Sequence, residues 1–339
     1  MRLIDLRFAL AWGMPLAIGA ALWVSPFAGW LTSVAIFASI ALAEATVPAL
    51  RSSPAAGAPR AWFAWCLRAH ALLQAALLAV GLVVVVRHGG LGGAVLAGLA
   101  VGMTTGGQGI TFAHELGHSK SRADRALGWV LMASVNYAHF MVEHYRGHHV
   151  CVATDDDPAS ARAGESLWRF LPRTLAGSWR SAWRLEAQRL AQHRLGWVRS
   201  PLLWATAVQA AWLIAIAAVW GTSALVFWLV QSLHAIVLLE TINYIEHYGL
   251  RRATLASGRP EPFGMQHAWN ADHLIGNCLL ANLQRHSDHH LHAWKPYAAL
   301  EPLPGPQLPT GYAGSIMLAG IPALWFRVMR PRLAVRQPV

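Results

Sequence analysis

Six apolar runs that nearly lack charge constrain this chain more than any other feature: about 9–24, 27–48, 62–86, 90–112, 201–219 and 222–245. Each is near the ~20 residues that carry an α-helix across the hydrocarbon core. Inside a bilayer only helices and closed barrels satisfy their own backbone, and the alternating pattern of a barrel strand is absent. Charged residues make up 13% of the 339, about half the ~25% usual in soluble domains. The expectation is an all-α, polytopic integral membrane protein, one domain over 1–339. Spans one to four fill 1–112, a polar block fills 113–200, spans five and six fill 201–245, and a second polar block fills 246–339. The first span is followed at once by the second, so the pair reads as a helical hairpin rather than a cleavable signal.

The net charge of +11 would suit nucleic acid, but its distribution does not. With the N-terminus inside, the inner segments hold 25 of the 27 Lys and Arg; Arg87 lies outside and Arg68 at the start of span three. That asymmetry places both polar blocks on the cytoplasmic side. The basic surface meets anionic lipid first and an acidic protein partner second. Cys66, Cys151 and Cys278 share no Cys-x-x-Cys spacing, which excludes a disulfide framework, a zinc ribbon and a built-in iron–sulfur domain.

Between the spans, "RSSPAAGAPR" (51–60) reads as a short inner loop and "EPLPGPQLP" (301–309) as an extended segment, since Pro cannot continue a helix. Residues 312–329 are apolar but carry Pro322, which leaves a re-entrant or interfacial helix open beside a seventh span. Gly98, Gly102 and Gly106 repeat every fourth residue and invite close approach of another helix. Residues 178–195 put Trp and Leu on one face and Arg on the other, as in a helix lying flat on the inner surface.

Nine of the 17 histidines fall in four groups: His114 and His118 in "HELGH", His144, His148 and His149 in "EHYRGHH", His247 in "NYIEHYG", and His286, His289 and His290 in "RHSDHH". Residues three or four apart share a helix face. Adjacent ones diverge by about 100°, so His148–His149 and His289–His290 can serve two centres. Spans four and six end on the same side, where both polar blocks also lie, so all nine converge just below the membrane. Nine imidazoles exceed what one zinc needs and fit two metals with four or five nitrogens each. Imidazole suits zinc, copper, iron or nickel, and a nitrogen-rich site with open positions suits iron that binds O₂. Glu115, Glu143, Glu246 and Asp288 sit beside or between these histidines, where a carboxylate can orient an imidazole through its other N–H. Glu240, seven residues before His247, shares roughly its helix face, and Glu44 lies near the inner end of span two. Such ionisable groups in spans are functional by default. His139, His234, His267 and His273 are further supporting candidates; His70, His88, His193 and His292 read as structural or exposed.

"HELGH" alone would suggest a zinc protease with Glu115 as general base, but that leaves seven histidines unused. A transporter would hold its ligands mid-membrane at broken helices. The strings "HELGHSK", "EHYRGHHVCVAT", "NYIEHYGL" and "LQRHSDHH", with the late "LPTGYAGSIMLAGIPALWFRVMRPRL", resemble the membrane alkane 1-monooxygenases within the fatty-acid desaturase and hydroxylase superfamily. The likeness is close over about 110–335 and extends to the leading spans in layout only. It implies a non-haem di-iron monooxygenase of the bacterial inner membrane, with the nine histidines as ligands of two iron ions. O₂ is its co-substrate, and reduced rubredoxin, itself reduced by an NAD(P)H-dependent reductase, is its electron donor. Medium or long n-alkanes are hydroxylated at the terminal carbon to 1-alkanols. A fatty-acid desaturase or hydroxylase, or a xylene-type monooxygenase, is the related alternative. One departure is Asp155 and Asp156 in "ATDDDPAS", which affects a loop. An alkane has no polar handle, so regioselectivity has to come from a narrow apolar tunnel, with Trp and Phe of spans one to three as lining candidates.

Overall fold

The computed structural model describes residues 3–47 and 60–334. The inner loop expected at 51–60 falls outside them except for its last residue. Among the described residues there are no strands, only two isolated bridges, Thr254 with Pro260 and Asn270 with Gln307. The second bridge holds the Pro-punctuated segment, where Asn270 N–H donates to Pro306 O and Leu308 N–H to Asn270 O.

Helix α1 (Gly13–Val24) follows a 3₁₀ stretch from Leu3 and meets α2 (Pro26–Thr46) at Ser25. Ser25 Oγ accepts from Ala28 N–H at 3.0 Å, and Pro26 supplies a preset first helical residue. Next come α3 (Arg60–His88) and α4 (Leu91–Thr104), joined through Gly89 and Gly90 at φ 62° and 79°, values that favour glycine. A π segment, Thr105–Ile110, then leads without a gap into α5 (Thr111–Gly117). The first polar block holds α6 (Arg122–Ser134), α7 (Phe140–Glu143), a π segment (His144–His148), α8 (His149–Cys151) and α9 (Leu167–Gln192). The rest comprises α10 (Pro201–His247), α11 (Leu274–Leu279), α12 (His286–Leu291), α13 (Tyr312–Ala319) and α14 (Pro322–Ala334).

Among the described residues, four helices are long and apolar enough to cross a membrane: Asp5–Val24, Pro26–Thr46, Ala61–His88 and Pro201–His247. The bent pair α13–α14 raises this to five if it is one span. Two differences from six simple spans have local causes. The expected fourth span is not one α-helix, because the π segment divides it. The expected fifth and sixth have no loop between them: α10 is two helical stretches broken at Gly221, at φ 77° and ψ −173°, between the expected 219 and 222. The apolar segment at 312–329 is no straight span: α13 and α14 are bent by 119°.

The glycines at four-residue spacing, Gly98 and Gly102 of α4 and Gly106 of the π segment, face α10. A Cβ at Gly98 would lie 2.8 Å from Val230, at Gly102 2.7 Å from His234 Cβ, and at Gly106 2.6 Å from Ala235 Cα. Gly102→Val should therefore destabilise the fold by about 1–3 kcal/mol through overpacking, read as a lower thermal midpoint in detergent. Helix α9 begins earlier than the expected 178 and buries a different face. Phe170, Thr174, Ala182, Glu186 and Leu190 point inward, while Trp168 and Trp179 are exposed. Glu186 is buried because Arg146 at 3.0 Å and Arg189 at 2.7 Å neutralise it.

Candidate metal centre

Five helix ends bring the nine histidines into two groups. Group A is His114, His118, His144, His149 and His289; group B is His148, His247, His286 and His290. Within each group the ligand atoms lie within 4.8 Å of one another.

The local backbone decides the partition. On α5, His114 and His118 lie four apart on one face. On α12 the same spacing pairs His286 with His290, and His289 turns towards group A. The second string behaves differently. An α-helix would pair His144 with His148, but this turn is π, closed by His149 N–H to His144 O. The wider turn aligns residues five apart. His149 Nε2 therefore sits 3.0 Å from His144 Nε2, and His148 faces group B.

In group A, His289 Nε2 is 3.0 Å from His114 Nε2 and 3.3 Å from His149 Nε2, and His118 Nε2 is 3.3 Å from His114 Nε2. In group B, His286 Nε2 is 3.1 Å from His247 Nε2 and 3.0 Å from His290 Nε2. A single N–H at His289 or His286 can serve only one of its two neighbours, so mutual hydrogen bonding does not account for the convergence. Cis ligands at ~2.1 Å from one ion lie ~3.0 Å apart, which does account for it. His148 Nε2 is buried with no hydrogen-bond partner, as a free ligand lone pair would be. The donor sets fit a metal ion in each group.

Electrostatics agree with neutral donors. Burial depresses His118 to about 4. Burial, and then the neighbouring imidazoles, hold His114, His144, His149, His286, His289 and His290 well below the usual range. All seven are therefore deprotonated and able to ligate at neutral pH.

The carboxylates sort differently from their sequence positions. Glu246 Oε1 lies 3.2 Å from His286 Nδ1 and accepts from Tyr312 OH. Glu115 accepts from Tyr297 N–H at 3.0 Å, and burial raises its pKa to about 7. Glu240 is held by Tyr137 OH and Thr174 Oγ1, both at 2.7 Å, and by Asn243. Asp288 accepts from His292 Nδ1 at 2.6 Å, Lys295 Nζ at 2.8 Å and Glu301 N–H at 2.7 Å, which ties down the segment after α12. Glu143 is buried beside His144, and burial followed by repulsion from Asp157 and Glu240 pushes its pKa well up. Asp157, which the sequence reading passed over, makes the clearest contact: its Oδ2 is 2.9 Å from His148 Nδ1. Ser160 Oγ at 2.6 Å and Ala159 N–H at 3.0 Å also donate to it. Burial opposes its charge, but His148 and these donors keep its pKa below the ordinary value. Its signal was the acid-Pro pair closing "DDDP", where only the first two aspartates drew notice. Asp155 is exposed and pairs with Arg251 at 2.7 Å.

The other eight histidines lie outside both groups. His234 Nδ1 lies 2.8 Å from Leu99 O, His267 Nε2 3.1 Å from Glu261, and His292 meets Asp288.

A small cavity reaches the groups from within the fold, lined by Thr111, His114, Phe140, His144, Ile242 and His286 among others. Ile242 also lines a second, apolar cavity with Met14, Phe37, Ile40, Met103, Leu238 and Leu279. The expected Trp and Phe of spans one to three contribute only Phe37 there; most of the wall is aliphatic. A surface cleft lined by Glu115, His118, Lys120, Trp294 and Lys295 approaches group A from the other side.

An all-helical membrane scaffold holding two histidine groups defines a class, and comparison with known families gives the same one. The fatty acid desaturase family matches residues 90–304, and the chain belongs to that family. Its curated relatives include alkane 1-monooxygenase 2 of Pseudomonas aeruginosa, 45% identical over 239 residues that cover 69% of this chain and 63% of that protein. An alkane 1-monooxygenase of Pseudomonas putida is 42% identical, over 65% of this chain and 56% of that protein. The xylene/toluene monooxygenase hydroxylase component of Pseudomonas putida is 26% identical, over 65% of this chain and 59% of that protein. The chain thus spans less than two thirds of the length of the curated relatives it matches.

Proposed function

We propose that this protein is a di-iron monooxygenase that converts medium or long n-alkanes to 1-alkanols, with O₂ and two electrons from reduced rubredoxin. The balance is RCH₃ + O₂ + 2 e⁻ + 2 H⁺ → RCH₂OH + H₂O, and an NAD(P)H-dependent reductase recharges the rubredoxin. One observation carries the reading: the cavity beside His114, His144 and His286 shares Ile242 with an almost wholly apolar cavity among the spans. A hydrocarbon chain suits that path, since its wall is mostly aliphatic and the oxygens of Glu44 and Tyr312 on it are engaged within the protein.

Group A and group B would each hold one iron, and the bound pair would supply O₂ activation. The chain's own residues present neutral imidazoles, exclude water and admit only a chain end. The surface cleft over His118 would give an electron donor an approach to group A.

Six spans in a bacterial inner membrane, with the centre on the cytoplasmic side, fit the helices and the charge asymmetry. The two stretches of α10, 201–220 and 222–247, are roughly 30 and 39 Å long, each enough to cross the ~30 Å hydrocarbon core, with Gly221 at the turn between them. The run from 91 to about 112 would form another, with His114 and the turn that follows it below the membrane.

The purified protein should carry about two irons per chain. With rubredoxin, reductase, NADH and O₂ it should convert octane or hexadecane to the 1-alcohol. Retained zinc without iron would overturn the reading, as would product from acyl lipids or xylene alone.

A further inference from the structure

Glu44 is a carboxylate in a membrane span, 4% exposed, on the wall of the apolar cavity. Burying it there is costly unless its oxygens are engaged. Both are. Oε1 accepts from Gln284 Nε2 at 2.8 Å, and Oε2 accepts from Ala313 N–H at 3.0 Å in the first turn of α13. Glycines make room on two sides, since a Cβ at Gly276 or Gly311 would collide with the carboxylate.

Both contacts lead towards group B. Gln284 lies two residues before His286, and its Oε1 accepts from His273 N–H at 2.9 Å. Tyr312, the first residue of α13, donates its hydroxyl to Glu246, whose Oε1 faces His286 Nδ1. The helix dipole favours an anion where Glu44 meets α13.

We infer that Glu44 is a positioning residue for group B, acting through Gln284 and through the Tyr312–Glu246 contact to fix His286 from the wall of the apolar cavity. The role rests on the reading that group B holds a metal. It links the lining of the chain-binding space to one of the two metal positions and leaves the other untouched.

The test is metal titration of the full-length protein in detergent, with Fe²⁺ added anaerobically to stripped protein. A His289→Ala background makes the remaining strong site report group B, and a His286→Ala background makes it report group A. Glu44→Ala should weaken binding about tenfold in the first background and leave the second unchanged. Tyr312→Phe, which removes one hydroxyl and little volume, should show the same selectivity. Glu44→Gln keeps an acceptor for Ala313 N–H but turns its amide N–H₂ towards the Gln284 Nε2 donor, so it should restore only part of the affinity. Equal weakening in both backgrounds, no weakening in either, or a Glu44→Gln variant as impaired as Glu44→Ala would overturn the inference. If the unaltered protein takes up metal in group A alone, the metal reading of group B fails, and this role fails with it.

Discussion

Replacing His289 with alanine should abolish turnover and leave one metal per chain instead of two. Its Nε2 stands within 3.3 Å of two other group A nitrogens, and it is almost wholly buried, so no water-borne ligand can fill its place without rearrangement. The loss should exceed the 10–100-fold typical of removing a mere supporting partner. Metal analysis separates this from general damage, because group B shares no ligand with group A and should keep its ion. Full turnover with two metals in the variant would refute the ligand assignment.

The second large effect is expected at Asp157. Asp157→Asn preserves the shape but removes the charge that holds His148 Nδ1–H, so His148 is free to adopt the wrong tautomer or rotate. Metal affinity at group B, or turnover, should fall about 10–100-fold. Group A should titrate as before. An Asn variant that binds group B metal normally would reduce Asp157 to a loop anchor through Ser160 and Ala159.

Much of this arrangement was legible in the sequence because it follows from periodicity. Apolar runs marked the helices, and four-residue spacing marked His114 with His118 and His286 with His290 as shared faces. The divergence of adjacent histidines pointed to two centres of four or five nitrogens, which is how groups A and B divide. Three things were hidden, each for a physical reason. The partner of His144 depended on a π turn, and a helical wheel assumes an α turn. Asp157 lies beyond the end of α8, where no periodic rule relates it to His148. A carboxylate beside a ligand in sequence is rotated away from it on a helix, which is why Glu115 meets Tyr297 rather than a neighbouring imidazole. The cavity wall was missed for another reason: its aliphatic residues come from helices distant in sequence, and an aliphatic side chain facing a cavity reads the same as one facing lipid.

The π turn at His144–His148 also bears on which changes of length this protein can tolerate. One surplus residue in a single turn splits two adjacent imidazoles between separate ions, so the stretch works as a divider whose gauge is counted in residues. Deleting one of Tyr145, Arg146 or Gly147 would bring His144 and His149 to four apart, so ordinary helical winding would keep them paired. The same α winding at unchanged length would pair His144 with His148 instead and divide the two nitrogens that group A uses. Length and winding are therefore coupled in this segment, while Tyr145, which donates to His114 O, and Arg146, which meets the buried Glu186, are held by their own contacts.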